Sequence, residues 1–422
     1  MPNYHSMNRN DLILEKEKLQ KEYDSFKAKN LSLNMSRGKP NPAQFEISNE
    51  LFNIKSYISR DGIDCRNYGV LDGIPEAKEL FAELLDAPAE NVFVGGNSSL
   101  NLMYDSFARA MTHGMFNSDK PWCKYDEIKF LCVTPGYDRH FAICEHFGIK
   151  MLNVPMQSDG PDMDLVEELV KDEAVKGIWC VPKYSNPQGI TYSDEKVKRL
   201  AKLKPAAKDF RIFWDNAYAV HDFDINDCDK LLPIFPECKK NNNEDIVFMF
   251  TSSSKITFSG GGVAAMAMSD NNLSYTKKLM SAQTIGADKL NQLRHAQLLK
   301  NKAGVIEHMK GHSKIIRPKF DIVLDCLEKS IKPYGVGSWH TPKGGYFVSF
   351  EANGGSAKRI VELCSECGVT LTPAGAAFPY HNDPNDSNIR IAPTFPSCED
   401  LRLAMEIFAI CARLSAIENL IK

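Results

Sequence analysis

The 422-residue chain exceeds the roughly 250–300 residues at which a single hydrophobic core stops growing, so a large domain with a smaller companion is expected. Hydrophobic residues make up 43% and charged residues 25%, the mixture of a globular enzyme, and no apolar run approaches the roughly 18 residues of a membrane-crossing helix. A formal charge of −3, with Lys and Arg scattered among acidic residues, lacks the basic excess that nucleic-acid binding requires.

Met1 to Asn10 is polar and leads into Leu14-Glu-Lys-Glu-Lys, which offers no apolar region for a secretory signal; a cytoplasmic protein is expected. The twelve cysteines sit mostly singly in apolar runs and read as small buried hydrophobes. Cys364-Ser-Glu-Cys367 has no partner pair or nearby His, so it reads as helix and no metal is expected. His140, His221 and His340 show no ligand-like spacing and read as surface or loop residues.

Asp11 can cap a helix running to about Ala28, after which Arg37-Gly-Lys-Pro-Asn-Pro forms a loop. Short apolar runs then recur at Asn91-Val-Phe-Val, Ile128 to Val133, Gly177 to Val181, Phe210 to Trp214, Ile246 to Phe250 and Val263 to Ala267. Runs of this length, apolar on both faces and separated by amphipathic stretches, suit strands covered by helices on both sides. The fold class is therefore α/β, with a mostly parallel doubly wound sheet. Beyond about residue 310 come a helix (Ile315 to Leu327), a strand (Tyr346 to Phe350), another helix, the strand Ile389-Arg-Ile and a final helix from Glu399, an α+β pattern. The expected division is 1–50 as N-terminal helix and entry loop packing on the small domain, 51–312 as large domain and 313–422 as small domain.

Ligands of an open parallel sheet bind at the carboxyl ends of its strands, and the informative residues follow those ends. Gly95-Gly-Asn97-Ser98-Ser99 opens a helix with free amides and two hydroxyls, suited to a phosphate, although an ordinary serine-capped helix has the same pattern. Thr134-Pro-Gly-Tyr137 brings an aromatic ring, Asn186-Pro-Gln-Gly a fixed amide, Asp215-Asn-Ala-Tyr218 a carboxylate and a phenol, and Ser252-Ser-Ser254-Lys255 an amine. A carboxylate and an amine following strongly apolar strands are costly unless they meet charged partners. An aldehyde cofactor with a phosphate and a basic ring nitrogen accounts for all of them: Lys255 forms the Schiff base, Asp215 keeps the ring nitrogen protonated, Asn186 and Tyr218 donate to the ring's phenolic oxygen, and Tyr137 stacks on the ring.

From about residue 31 to the end, the chain resembles the fold type I pyridoxal 5'-phosphate enzymes, and among them the class I aminotransferases of the aspartate aminotransferase type. The matching pieces stand in family order: Tyr68-Gly-Val-Leu-Asp-Gly-Ile-Pro, Gly96-Asn-Ser-Ser, Pro135-Gly-Tyr137, Asn186-Pro-Gln-Gly, Asp215-Asn-Ala-Tyr218, Ser252-Ser-Ser-Lys255 and Asn388-Ile-Arg390. The Ser-Arg-Gly-Lys-Pro entry and the stretch from Ile285 to His295 are similar to the bacterial subgroup Ic aspartate aminotransferases. The resemblance implies that Ser98, Ser99, Ser252 and Ser254 line the phosphate cup. It also implies that Tyr68 reaches the phosphate of a neighbouring subunit in a homodimer, that Arg390 clamps the substrate α-carboxylate and that Gly38 lies near the substrate.

Two departures stand out. Where the family carries Gly-x-Arg-x-Gly after the lysine, this chain has Gly260-Gly-Gly-Val263, so the phosphate charge is expected to be balanced by amides of that turn, with Lys289 or Arg294 assisting from the partner subunit. The residue for a substrate's distal group does not align; Arg37, Lys39 and Lys289 are the candidates. The resemblance implies amino transfer in two half-reactions, with L-aspartate and 2-oxoglutarate as the expected pair. Alternatives are a transaminase for another amino acid, a lyase on the same cofactor, or an aminotransferase-like regulatory protein, for which no winged-helix pattern precedes the cradle.

Overall fold

The computed structural model describes residues 3–422; Met1 and Pro2, the start of the polar N-terminal stretch, lie outside the described residues. Thirteen strands run as β1 (Leu33–Asn34), β2 (Val92–Val94), β3 (Lys129–Thr134), β4 (Lys150–Gln157), β5 (Gly160–Pro161), β6 (Val175–Cys180), β7 (Arg211–Asp215), β8 (Val247–Ser252), β9 (Ala264–Ala267), β10 (Gly337–Trp339), β11 (Val348–Ala352), β12 (Val369–Thr370) and β13 (Asn388–Ile391) among the described residues. Eight form one sheet in the order β2-β9-β8-β7-β6-β3-β4-β5. Pairings from β8 through β4 are parallel; β9 runs antiparallel to both neighbours and β5 antiparallel to β4. The central strands are buried along their length because helices cover both faces, as their unbroken apolar character requires. Leu131 and Val133 of β3 face one core and Phe130 and Cys132 the other. Phe107, from the helix Ser99–His113, stacks on Trp179 of β6 in the second core, 5.0 Å between ring centroids and 4° from parallel.

A second body is built on the antiparallel sheet β10-β11-β13 and the final helix Cys398–Leu420. The helix Arg9–Lys27 buries Leu12, Leu19, Tyr23 and Phe26, a helical spacing, in the same core as that final helix. Its cap is Asn8, whose side chain accepts from the Asp11 amide; Asp11, the expected cap, sits inside the first turn. The expected helix at Ile315 belongs to a longer one, Lys302–Ser330, which runs through the 312/313 boundary without interruption. Sequence reading missed β4, in which only Met151 and Val154 are buried and which includes Pro155. Cys364 lies in the helix Ala357–Glu366 with Cys367 just beyond it, and all twelve cysteines are free. No described helix is long and apolar enough to cross a membrane.

Candidate active site

Four parallel strands end at one edge of the large sheet, and the segments that follow them wall a cavity of about 290 Å³. Tyr137 comes from the end of β3, Asn186 from β6, Asp215 and Tyr218 from β7, and Ser252, Ser254 and Lys255 from β8. Ser98 and Ser99 bring the start of the helix Ser99–His113, while Gly38 and Lys39 of the entry loop close the mouth. Ser98 occupies the N-cap position, yet its hydroxyl makes no capping bond. A larger depression of about 540 Å³ lies at the opposite edge, beside the start of β7, and contains none of these groups.

Lys255 sits in the connection between antiparallel β8 and β9, which is pinched shut where the Ser253 amide donates to the Val263 carbonyl (2.8 Å) and the Val263 amide donates to Ser253 Oγ (2.9 Å). Its Nζ lies 4.9 Å from the Tyr218 ring centre and 5.8 Å from that of Tyr346, and it has no ion-pair partner among the described residues. Burial pulls its pKa below the ordinary lysine range, opposed by the attraction of Asp215. Burial also pushes Tyr137 up to about 12 and Tyr218 well above the usual phenol value, so both remain hydrogen-bond donors.

Asp215 Oδ2 accepts from His140 Nε2 at 3.1 Å, while its Oδ1 is buried with no hydrogen-bond partner. This corrects the reading of His140 as a surface or loop residue, since it is buried in the helix Asp138–His146; His221 lies in a loop, as expected, but is buried there. His140 lies one helical turn beyond Tyr137, which turns it inward beneath Asp215, and it stacks on Trp179 at 4.3 Å. His221 Nε2 lies 3.4 Å from the Lys255 carbonyl, and burial holds the ring neutral by pushing its pKa well below the ordinary value. His340 is exposed.

Beneath the lysine, fully buried Gln44 of the short helix Pro42–Glu46 donates both amide hydrogens, to His312 Nδ1 (2.8 Å) and the Tyr346 hydroxyl (3.1 Å). None of these three was singled out in the sequence; the capping box that seats Gln44 is its one local signal.

Arg390 is buried on β13 and contacts the cavity wall through Asn186 Oδ1, 3.4 Å from its Nη1. Phe347 stacks on the guanidinium at 5.0 Å, and a Cβ added to Gly38 would lie 2.5 Å from the Phe347 ring, so this close approach requires glycine. Asn97 is off the wall, its carbonyl accepting from Ser254 Oγ at 2.8 Å. Arg37 is exposed outside the cavity. Tyr68 is 84% exposed, on a loop pinned by a 2.9 Å bond from Lys289 Nζ to the Gly69 carbonyl.

The glycine turn has no room for a side chain at Gly262, where a Cβ would lie 3.0 Å from the Ser254 nitrogen. Asn291 Nδ2 donates to the carbonyls of Gly261 and Gly262, both at 2.9 Å, and Arg294 Nη2 donates to Asn291 Oδ1 at 3.0 Å. Arg294 is thus linked to the turn of its own chain through Asn291. No cluster of three or more His, Cys, Asp or Glu side chains among the described residues is arranged to hold a metal ion.

An amine, a buried carboxylate with one free oxygen and an open helix N-terminus around one cavity, at the carboxyl edge of this sheet, define an aminotransferase-type enzyme. The model of the aspartate amino-transferase family matches residues 7–422, and the chain belongs to that family. It is 42% identical over 406 residues to an aspartate aminotransferase of Corynebacterium glutamicum, covering 96% of this chain and 94% of that one. A chain from Mycolicibacterium smegmatis is 45% identical over 424 residues, covering 99% of each. The crystal structure of an aspartate transaminase from C. glutamicum superposes with a TM-score of 0.96 at 40% identity, over 99% of both chains. An α-aminoadipate aminotransferase from Thermus thermophilus shares the fold at a TM-score of 0.72 and 21% identity, covering 92% of this chain and 93% of that one.

Proposed function

We propose that this aminotransferase uses pyridoxal 5'-phosphate to move the amino group of L-aspartate to 2-oxoglutarate, as a cytoplasmic homodimer. The observation that carries the cofactor reading is the free, buried Oδ1 of Asp215 on the wall of the cavity that also holds Lys255 and the helix opening at Ser98 and Ser99. A buried carboxylate oxygen without a partner is costly, and a protonated ring nitrogen would satisfy it. The helix N-terminus and the hydroxyls of Ser98, Ser99, Ser252 and Ser254 suit the phosphate, and the uncommitted amine of Lys255 suits the aldehyde. When bound, the cofactor supplies an electron sink for the bond broken at the substrate's Cα.

The chain's own groups do the rest. Arg390 holds the α-carboxylate and so orients the Cα–H bond, turning proton removal into an oriented intramolecular step. Lys255, its affinity for protons lowered by burial, takes that proton and returns it. Tyr218 and Asn186 would donate hydrogen bonds to the ring, and Tyr137 would cover its face. Among the three candidates for a distal carboxylate, Lys39 is the one on the cavity wall. The likeness to the C. glutamicum aspartate aminotransferase supports the choice of L-aspartate, and the exposed ring of Tyr68 supports a second subunit whose phosphate it meets.

The test is the visible absorbance of the purified protein with cofactor, first with L-aspartate and then with 2-oxoglutarate. The band is expected to bleach and return, and a Lys255→Ala variant is expected not to cycle. A band indifferent to aspartate would move the assignment to another amino acid; no band would sink the cofactor site.

A further inference from the structure

The guanidinium of Arg390 is already engaged. Nη1 donates to Asp138 Oδ1 at 3.0 Å and to Asn186 Oδ1 at 3.4 Å, and Nη2 donates to Thr372 Oγ1 at 3.3 Å. Nε is buried and has no partner. A carboxylate can grip a guanidinium from the side, through Nε and one Nη, or from the end, through both Nη atoms. In the end grip an incoming carboxylate meets Nη1, which Asp138 already holds.

Resting on the assignment of the substrate α-carboxylate to Arg390, we propose that Asp138 stands in for that carboxylate in the ligand-free protein and yields the guanidinium when an amino or oxo acid arrives. A buried guanidinium without a counter-charge is costly, and Asp138 offsets that cost while the site waits. Asp138 begins the helix Asp138–His146, and its side chain is 26% exposed, so it can turn to water without disturbing the core. Asn186 and Thr372 are neutral and keep the guanidinium aligned throughout. Thr372 is itself oriented, its hydroxyl donating to the Ser36 carbonyl at 2.6 Å. Every carboxylate that binds end-on must therefore win Nη1 from an internal competitor, which lowers apparent affinity. The simpler reading, an acid favouring the first turn of a helix, gives Asp138 no influence on carboxylate affinity. Asp138 is a positioning residue that acts through Arg390.

The experiment is calorimetric titration of the holoenzyme with succinate, a dicarboxylate that cannot react, alongside steady-state kinetics. In Asp138→Asn, the succinate Kd is expected to fall about three- to tenfold, with a parallel fall in amino-acid KM and a kcat within about twofold of the parent. Asp138→Glu, which restores the charge, is expected to bring the parent values back. A Kd in Asp138→Asn that is unchanged or higher overturns the proposal. Arg390→Lys separates the two levels: if it binds succinate as the parent does, the Arg390 assignment itself fails, whereas lost binding there with no gain in Asp138→Asn removes the competitor role alone.

Discussion

His140 Nε2 donates to Asp215 Oδ2 at 3.1 Å while the His140 ring lies within 9° of parallel to Trp179, so one carboxylate oxygen is fixed and the other is left buried without a partner. A His140→Phe variant keeps the stacking surface and loses the hydrogen bond. It should retain the cofactor's visible band but lose about 10- to 100-fold in kcat, as the carboxylate loses its fixed orientation. Parent-like kcat with the band intact would mean that Trp179 and burial alone hold Asp215.

Lys255 couples the site to stability. Its pKa in the folded chain is lowered by burial, so between that value and the unfolded one, about 10.4, the unfolded chain binds more protons and stability rises with pH. Replacing Lys255 with Met should therefore raise the Tm of the cofactor-free protein at pH 7 by on the order of 1–2 °C, with the gain shrinking toward pH 10. A gain of equal size at both pH values would point to packing rather than charge.

A methyl on Gly38 would meet the Phe347 ring that supports Arg390. Gly38→Ala should raise the amino-acid KM by about tenfold or more, with a smaller change in kcat. An unchanged KM would show that the entry loop can shift outward at no cost.

Gln44→Leu leaves His312 Nδ1 and the Tyr346 hydroxyl without their buried donor. The expected cost is about 1–3 kcal/mol, seen as earlier thermal unfolding. His312 cannot recover it by taking a proton near neutral pH, because burial pushes its pKa down to about 3. Unfolding at the parent temperature would mean that a water replaces the amide.

If Tyr68 completes the partner's site, a mixed dimer of a Tyr68→Ala and a Lys255→Ala subunit gathers both defects in one cavity and leaves the other with both residues. Mixing the two separately impaired variants and allowing subunit exchange should restore activity through the one cavity that has both residues. No recovery despite demonstrated exchange would assign Tyr68 to its own chain's surface.

Much of this was legible in the sequence because strands buried on both faces are continuous apolar runs, and the residues after them fall by geometry at one edge; Tyr137, Asn186, Asp215 and Lys255 were found that way. The weaker signals came from elements whose role is set by distant neighbours. β4 buries only Met151 and Val154 and contains Pro155, so it lacks the unbroken run of its neighbours. His140 and His221 have no ligand-like spacing, and these two and His312 are buried beside Asp215, the Lys255 carbonyl and Gln44, up to 268 positions away in the chain. Asp138 reads as an ordinary helix-opening acid until Arg390, 252 positions later, folds onto it.

The entry segment is stitched to the carboxylate clamp rather than to the large sheet. Leu33 and Asn34 pair with β12, the Ala392 amide donates to the Met35 carbonyl, the Thr394 hydroxyl to the Lys39 carbonyl, and the Asn41 amide to the Phe395 carbonyl. Roof and clamp are consequently one mechanical part. Any displacement of Arg390's strand would therefore be shared by Gly38 and Lys39 at the mouth.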